Sequence, residues 1–176
     1  MRNYLIWLLP ICFLAPAVAR AEAVALIENK VAPHFDFPRM TSLAVGQAWQ
    51  KADAGQRKAL TSEFHTLLVR TYANSLTAFQ DQKVSFKPLA EPGAGGEVTV
   101  RSQISKPGTQ PISLDYSLAK SEDGWKVFDV TIASVSLVTN YRSTFASEMN
   151  KGGIDGLLKA LQEKNRHNEA AAPPAS

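Results

Sequence analysis

The sequence predicts an α+β fold, and three observations support this class. In the first half of the chain, apolar residues recur at helical three- and four-residue steps, as at Leu60, Phe64 and Leu68. After Asp81 the apolar residues alternate with polar ones, which indicates four antiparallel strands. Helical spacing returns after Leu137. Helices, a strand meander and further helices are typical of a sheet with one covered face.

The N-terminal residues predict a secretory signal peptide at positions 1–21. A short basic start is followed by an apolar run at residues 4–14, and Ala19-Arg20-Ala21 is a small-x-small cleavage site. A retained membrane helix is the alternative, but the apolar run is shorter than the roughly 20 residues that span a bilayer. We therefore expect cleavage after Ala21 and export of the remaining chain.

Cysteine content and charge exclude some classes of protein. Cys12, the one cysteine, lies inside the predicted signal peptide, so the mature chain must be held together by its core. The 19 basic residues fall to 17 when Arg2 and Arg20 leave with the signal, against 16 acidic residues. This near balance, without a basic run interleaved with aromatics, argues against nucleic acid as a partner.

The first half of the mature chain is expected to form three helices. Residues 22–31 can form a short one. Asp36 can cap a second helix that runs to about residue 50, with Pro38 in its first turn. Residues 53–56 resemble a capping box with Asp in place of Ser or Thr, and they open the longest helix, at residues 54–79.

Four strand-like segments and two helices follow. Turns rich in Gly and Pro or in charge separate the strands. The pair Gly152-Gly153 then interrupts the helical pattern. A single domain is predicted at residues 22–167, with a disordered tail at residues 168–176. We expect strands at residues 83–89, 97–105, 112–118 and 124–132, and helices at residues 137–150 and 154–165.

Residues 124–145 place a strand and a helix against one apolar space, which can be either a filled core or a pocket. Composition and spacing alone favour an ordinary core over a pocket wall. If the space is a pocket, its candidate lining comes from the long helix, the sheet and the following helix. These candidates are Phe64, Leu68, Tyr72, Val98, Val100, Leu114, Tyr116, Phe128, Val130, Ile132, Val138, Tyr141 and Phe145.

Two other functions must be weighed against binding in a pocket. The first is a small-molecule isomerase or dehydratase that uses a tyrosine with an aspartate or histidine, but Asp115 and Asp129 alternate away from the apolar faces. His34, His65 and His167 are isolated in sequence, and neither a zinc spacing nor a nucleophile elbow occurs. The residues therefore favour binding over catalysis. The second alternative is an interaction module whose open sheet face binds another protein.

Several motifs occur in a fixed order along the chain. They are His34-Phe35-Asp36-Phe37 with Arg39-Met40, then Ala44-Val45-Gly46 with Trp49, then Glu63-Phe64, and then Leu67-Leu68-Val69-Arg70-Thr71-Tyr72. In order and spacing, over about residues 28–165, they resemble the MlaC family, also known as the toluene-tolerance auxiliary family.

This resemblance implies a nuclear transport factor 2-like α+β fold, in which helices cover a curved antiparallel sheet of about four strands. It implies a deep apolar pocket for the acyl chains of a phospholipid, which is cargo and not a cofactor. It also implies a periplasmic carrier that maintains outer-membrane lipid asymmetry. The implied partners are an inner-membrane ABC transporter with its membrane-anchored substrate-binding subunit, and an outer-membrane lipoprotein–porin complex.

The sequence departs from the family pattern before His34. Members of the family usually carry a further amphipathic helical segment there, whereas only residues 22–33 separate the predicted cleavage site from the motif. Three explanations stay open at this point. The start of the chain is misplaced, or the pocket is more open, or the apolar N-terminal segment packs in place of the missing helix.

Overall fold

The computed structural model describes residues 15–77, 82–89 and 96–170. Positions 1–14 of the predicted signal peptide and positions 171–176 of the predicted tail lie outside these ranges. The N-terminal part is helical, and a meander of strands and a long final helix follow. The helices are α1 (Ala15–Leu26), α2 (Phe37–Val45), α3 (Ala54–Thr77) and α4 (Leu137–Ala170).

One antiparallel sheet contains all the described strands, in the order β1-β2-β3-β4-β5. The α+β prediction is therefore confirmed, with five strands where about four were expected. The additional strand is two residues long and follows a tight turn in which Ala133 and Ser134 have positive φ, so it is too short to show alternation. The strands are β1 (Lys83–Phe86), β2 (Glu97–Ser105), β3 (Ile112–Ser121), β4 (Gly124–Ile132) and β5 (Val135–Ser136).

Both predicted helix caps are confirmed. Asp36 Oδ1 accepts a hydrogen bond of 2.9 Å from the backbone N–H of Arg39 at the start of α2. At the start of α3, the Gln56 N–H donates to Asp53 Oδ1 at 2.8 Å, and the Asp53 N–H donates to Gln56 Oε1 at 3.1 Å. This reciprocal pair is a capping box, as the sequence predicts.

The last helix contains the break that its two glycines predict. Gly152 and Gly153 have non-helical backbone angles, and Gly153 has a φ of 65° that a residue with a side chain rarely adopts. The helix continues to Ala170, so residues 168–170 are helical and do not belong to a disordered tail. The second leg packs back against α3 through Leu157 and Leu161.

The N-terminal helix differs from the prediction because it begins at Ala15 and not at residue 22. It runs continuously past Ala21, after which cleavage is predicted, and a π-helical turn at Ile27–Val31 follows it. Ala23 and Ile27 pack against Val69 and Ala73 of α3. In residues 15–77, 82–89 and 96–170, no helix is long and apolar enough to cross a membrane.

Helices α2, α3 and α4 enclose a filled hydrophobic core. Phe64 contacts both Tyr141 and Phe145 edge to face, with ring centroids 5.0 Å apart in each pair. The core therefore consists of interlocking side chains, and its largest fully buried apolar members are Met40, Leu60, Phe64, Phe145 and Leu157.

Candidate functional site

An apolar cavity of about 510 Å³ lies between the sheet and the N-terminal half of the domain. The register of the strands forms its floor, because residues paired across an antiparallel ladder point to the same face. Leu114 pairs with Ile132, and Tyr116 pairs with Val130. The floor is thus built from alternate residues of neighbouring strands, as the alternation in the sequence predicts.

Helix α3 and the segment that precedes α2 form the other walls. Leu68 and Tyr72 are four residues apart on α3 and therefore share one face of that helix. Ile27 and Val31 of the π-helical turn, which precedes α2 in the chain, also contribute apolar side chains to the lining. The remaining lining residues are Ala32, Phe35, Phe37, Met40, Val69, Gln82, Ile104, Ile112 and Leu137.

The structure brings six of the thirteen predicted residues together in the cavity lining. They come from α3, β3 and β4, and they belong to the faces on which the sequence places them. Contact of each side chain with a ligand stays a prediction. The six residues are Leu68, Tyr72, Leu114, Tyr116, Val130 and Ile132.

Five other predicted residues belong to the filled helical core. Phe64, Val138 and Phe145 are at most 7% exposed, and all three belong to that core. Tyr141 packs against the same cluster through its ring contact with Phe64. Phe128 also packs against this cluster, and the guanidinium of Arg39 lies 3.7 Å from its ring centroid.

A β-bulge interrupts the alternation of β4 at Phe128. Ser117 pairs with Asp129, but the next residue of β3, Leu118, pairs with Val127, so Phe128 is the extra residue of its strand. The last two predicted residues, Val98 and Val100, do share the sheet face of Tyr116 by register. They lie nearer the start of β2 than the lining residue Ile104, and they are outside the cavity lining.

Sequence reasoning missed the contribution of the segment from Ile27 to Met40. This segment has no strand-like or long helical period that would assign its apolar side chains to the cavity. Its position depends on a long-range contact, because Phe35 forms a parallel bridge with Val127 and the Asp36 N–H donates to the Val127 carbonyl at 2.8 Å. Ile104 and Ile112, by contrast, lie on predicted apolar faces and could have been included.

Three lining residues carry polar groups, namely Tyr72, Gln82 and Tyr116. Burial and, to a smaller extent, nearby Tyr141 raise the pKa of Tyr72 to about 12. Burial also raises the pKa of Tyr116. Both phenols are therefore neutral at physiological pH, and they can donate hydrogen bonds to ester or phosphate oxygens.

The carboxylates considered for catalysis have structural contacts elsewhere. Asp129 Oδ1 accepts hydrogen bonds from the N–H groups of Val130 and Val138, and Asp129 Oδ2 accepts one of 2.6 Å from the Ser136 hydroxyl. These contacts fix the start of α4. Asp115 pairs with Arg101 across the ladder and lies on the sheet face opposite Leu114. Within the described ranges, no three His, Cys, Asp or Glu residues are grouped as metal ligands.

A second cavity, of about 460 Å³, lies between α3 and the end of α4 and is polar. Arg70 Nη1 donates to the Asn165 carbonyl at 2.8 Å and contacts Glu169 Oε2 at 3.2 Å. Asn165 Nδ2 donates to the backbone carbonyl and to Oε2 of Glu63. These contacts join the two helices, and a polar lining of this kind does not suit an acyl chain.

The fold and the cavity define a class of protein: an α+β domain with an apolar cavity between its sheet and its helices. Comparison with known proteins specifies the family. The family model described as "MlaC protein" matches residues 15–163, and this chain belongs to the MlaC family. The family that the sequence motifs indicate is thereby confirmed.

Two relatives show what this chain resembles. A curated protein of Haemophilus influenzae, the intermembrane phospholipid transport system binding protein MlaC, is 27% identical over 141 residues, which cover 78% of this chain and 66% of that protein. The chain thus spans just under two thirds of that relative. A solved structure of a phospholipid-binding protein from Ralstonia solanacearum, in complex with a phospholipid, is 34% identical, with a TM-score of 0.79. The match covers 87% of this chain and 86% of the other.

Proposed function

We propose that this protein is a periplasmic carrier that holds a phospholipid in its apolar cavity and moves it between membranes. The observation that carries the proposal is the cavity of about 510 Å³, whose lining is apolar apart from Tyr72, Gln82 and Tyr116. The relative from Ralstonia solanacearum was solved with a phospholipid, which supports the same class of ligand here.

The free energy of lipid transfer explains why such a cavity is useful. Moving a two-chain lipid through water exposes roughly 30 methylenes at about 0.8 kcal/mol each, a cost on the order of 20 kcal/mol or more. An apolar cavity replaces the membrane interior at nearly equal free energy, so that uptake and release are both feasible. A carrier of this kind requires no reactive group.

The proposed partners follow from the family. We propose that the carrier receives and delivers phospholipid at an outer-membrane lipoprotein–porin complex and at an inner-membrane ABC transporter with its membrane-anchored substrate-binding subunit. The transfer would maintain outer-membrane lipid asymmetry. The location is part of the proposal, and N-terminal sequencing of the protein from a periplasmic extract tests it. A sequence that begins at Glu22 supports export, and one that begins at Met1 contradicts it.

A transfer assay tests carriage itself. Donor vesicles with a self-quenched fluorescent phospholipid are mixed with unlabelled acceptor vesicles, and the protein is added. We expect fluorescence to rise faster than without protein. The matched control is Leu114→Glu, verified as folded by circular dichroism, because its carboxylate lies on the cavity floor. No acceleration by the wild-type protein, or equal acceleration by the folded variant, contradicts the proposal.

A further inference from the structure

The segment between the predicted cleavage site and α2 forms one wall of the cavity, and we name residues 22–34 the strap. Ile27, Val31 and Ala32 of the strap line the cavity. The other walls belong to larger structures, because continuous backbone pairing joins the strands of the floor and α3 is anchored in the helical core. Moving either of those walls would disrupt the sheet or the core.

The two ends of the strap are held differently. At the end next to α2, Lys126 Nζ donates a hydrogen bond of 2.7 Å to the Pro33 carbonyl, and the backbone bridge between Phe35 and Val127 follows directly. This end is fastened to β4.

The other end of the strap rests on α3 through small side chains. Ala23 and Ile27 pack against Val69 and Ala73, in a cluster separate from the helical core. Two of these four residues are alanines, so the apolar area that they bury is small, and hydrophobic stabilisation scales with that area. Separating the strap from α3 therefore costs little compared with opening the core.

One ion pair adds to this contact. His65 Nε2 of α3 lies 3.2 Å from Glu28 Oε2 of the strap, without the geometry of a hydrogen bond. Both side chains are partly exposed, and ion pairs of this kind contribute little to stability. The ring of Phe37, which lines the cavity, lies 4.1 Å from the imidazole between centroids. The pair is thus a weak fastening beside the cavity.

The backbone of the strap provides a hinge between its two ends. The α-helix ends at Leu26, a π-helical turn occupies Ile27–Val31, and a 3₁₀ turn occupies Ala32–His34. Short π and 3₁₀ pieces of this kind are frequent at hinges and functional sites. Rotation within the 3₁₀ turn would lift the π-helical turn away from the cavity while the fastened end stays in place.

We propose that the strap is the gate of the cavity: phospholipid enters and leaves where the strap separates from α3, and the pair of Glu28 and His65 is the latch. The inference rests on the proposed function and adds to it the route of the ligand. A carrier has to enclose its cargo and also release it, so one wall has to open. The strap is the wall whose displacement leaves the sheet and the core intact.

A reversible cross-link tests the gate. Glu28→Cys and His65→Cys are combined in the exported protein, which is loaded with pyrene-labelled phosphatidylglycerol, and a short bis-methanethiosulfonate reagent then links the two thiols. The natural cysteine, Cys12, lies in the predicted signal peptide, so the reagent joins the introduced pair. Transfer of the label to acceptor vesicles gives the release rate. We expect the link to slow release at least tenfold, and a reductant that cleaves the link to restore it.

The matched control is the same link placed outside the cavity lining. Gln56→Cys and Asp155→Cys join α3 to the second leg of α4, where the Gln56 amide donates to Asp155 Oδ1 at 2.8 Å. We expect this link to change the release rate less than twofold, and circular dichroism verifies that each variant folds. Equal slowing by both links, or no slowing by the strap link, overturns the gate.

Weakening the latch should act in the opposite direction. Glu28→Gln removes the charge from a side chain outside the cavity lining, so we expect about threefold faster release with the same amount of lipid bound. Glu148→Gln, which removes the pair with Lys151 on α4, should leave the release rate unchanged. Unchanged release in Glu28→Gln overturns the latch. Wild-type protein that binds no phospholipid contradicts the proposed function itself, and the gate with it.

Discussion

Helix α3 contributes to two apolar regions that differ in what fills them. Leu60 and Phe64 are fully buried in the helical core, where aromatic rings meet at centroid distances of 5.0 Å. One turn further along, Leu68 and Tyr72 line the cavity. Leu68 also belongs to the core cluster and Tyr72 packs against it, so the stripe contacts core side chains along its length and borders open space only at its end. A cavity arises where the opposing layer stops.

The final helix accounts for much of this difference. Its side chains at Val138, Phe145 and Leu157 fill the space over the first turns of α3. In the part of the chain that the structure describes, Leu137 is the α4 residue that reaches the cavity lining. The sheet and the segment around Ile27 then face each other across the gap. Lining a cavity and filling a core therefore require the same residue types.

The largest expected effect contrasts two identical substitutions on α3. Leu60→Ala removes a fully buried side chain from the core, so we expect it to lower the free energy of unfolding by about 2–5 kcal/mol. Leu68→Ala enlarges a space that already exists, so its cost in the lipid-free protein should be smaller by at least about 1 kcal/mol. Urea unfolding followed by circular dichroism measures both. Equal losses would break the distinction between core and cavity.

A charge on the cavity floor should greatly weaken phospholipid binding, whereas the protein should stay folded because the core is unchanged. We expect Leu114→Glu to reduce phospholipid affinity about 100-fold, because the bound acyl chain would bury an unpaired carboxylate. Leu114→Met keeps an apolar side chain of similar volume and is the matched control. Native mass spectrometry gives the affinities, and circular dichroism verifies folding. Normal lipid retention by folded Leu114→Glu would show that this face does not contact the ligand.

The cap of α2 should affect both regions, because Met40 of this helix belongs to the core and also lines the cavity. Asp36→Ala removes the hydrogen bond to the Arg39 N–H, and we expect it to lower the free energy of unfolding by about 1 kcal/mol. Phospholipid affinity should fall as well. Asp36→Asn retains a capping oxygen and should restore both properties. A loss of stability with unchanged affinity would show that the cavity does not depend on α2.

The smallest expected effect concerns Tyr72 and appears only at high pH. Its pKa of about 12 in the folded state exceeds the ordinary value of 10.0. The folded state therefore keeps a proton that the unfolded chain loses, and this contribution to stability is complete below pH 10 and declines as pH rises towards 12. Tyr72→Phe should lose less stability than the wild type over that interval. Urea midpoints at pH 7, 10 and 11 measure it, and identical pH profiles would contradict the prediction.

Local signals in the sequence were sufficient for most of the fold. Asp36 and Asp53 mark helix starts through side-chain hydrogen bonds that span three residues. The alternation in β2 and β3 assigns Val100 and Tyr116 to one sheet face, and the register confirms it. These features depend on neighbours in sequence, and spacing alone can therefore reveal them.

The division between core and cavity could not be predicted in the same way. Phe64 and Leu68 have the same period and the same apolar character, and both belong to the core, but Leu68 also lines the cavity because of long-range packing. The bulge opposite Ser117 and Leu118 interrupts the alternation of β4 at Phe128, and no local residue pattern signals it. Val31 reaches the lining only because the chain folds back over the sheet.

Occupancy of the cavity is the most direct test of the account. The protein is purified from a periplasmic extract without detergent, weighed by native mass spectrometry, and its lipids are extracted and identified. We predict one phospholipid per protein molecule, lost in folded Leu114→Glu and retained in Leu114→Met. Folded wild-type protein that carries no phospholipid, and takes none up from vesicles, would contradict the claim that the space beside the filled core is a lipid-binding site.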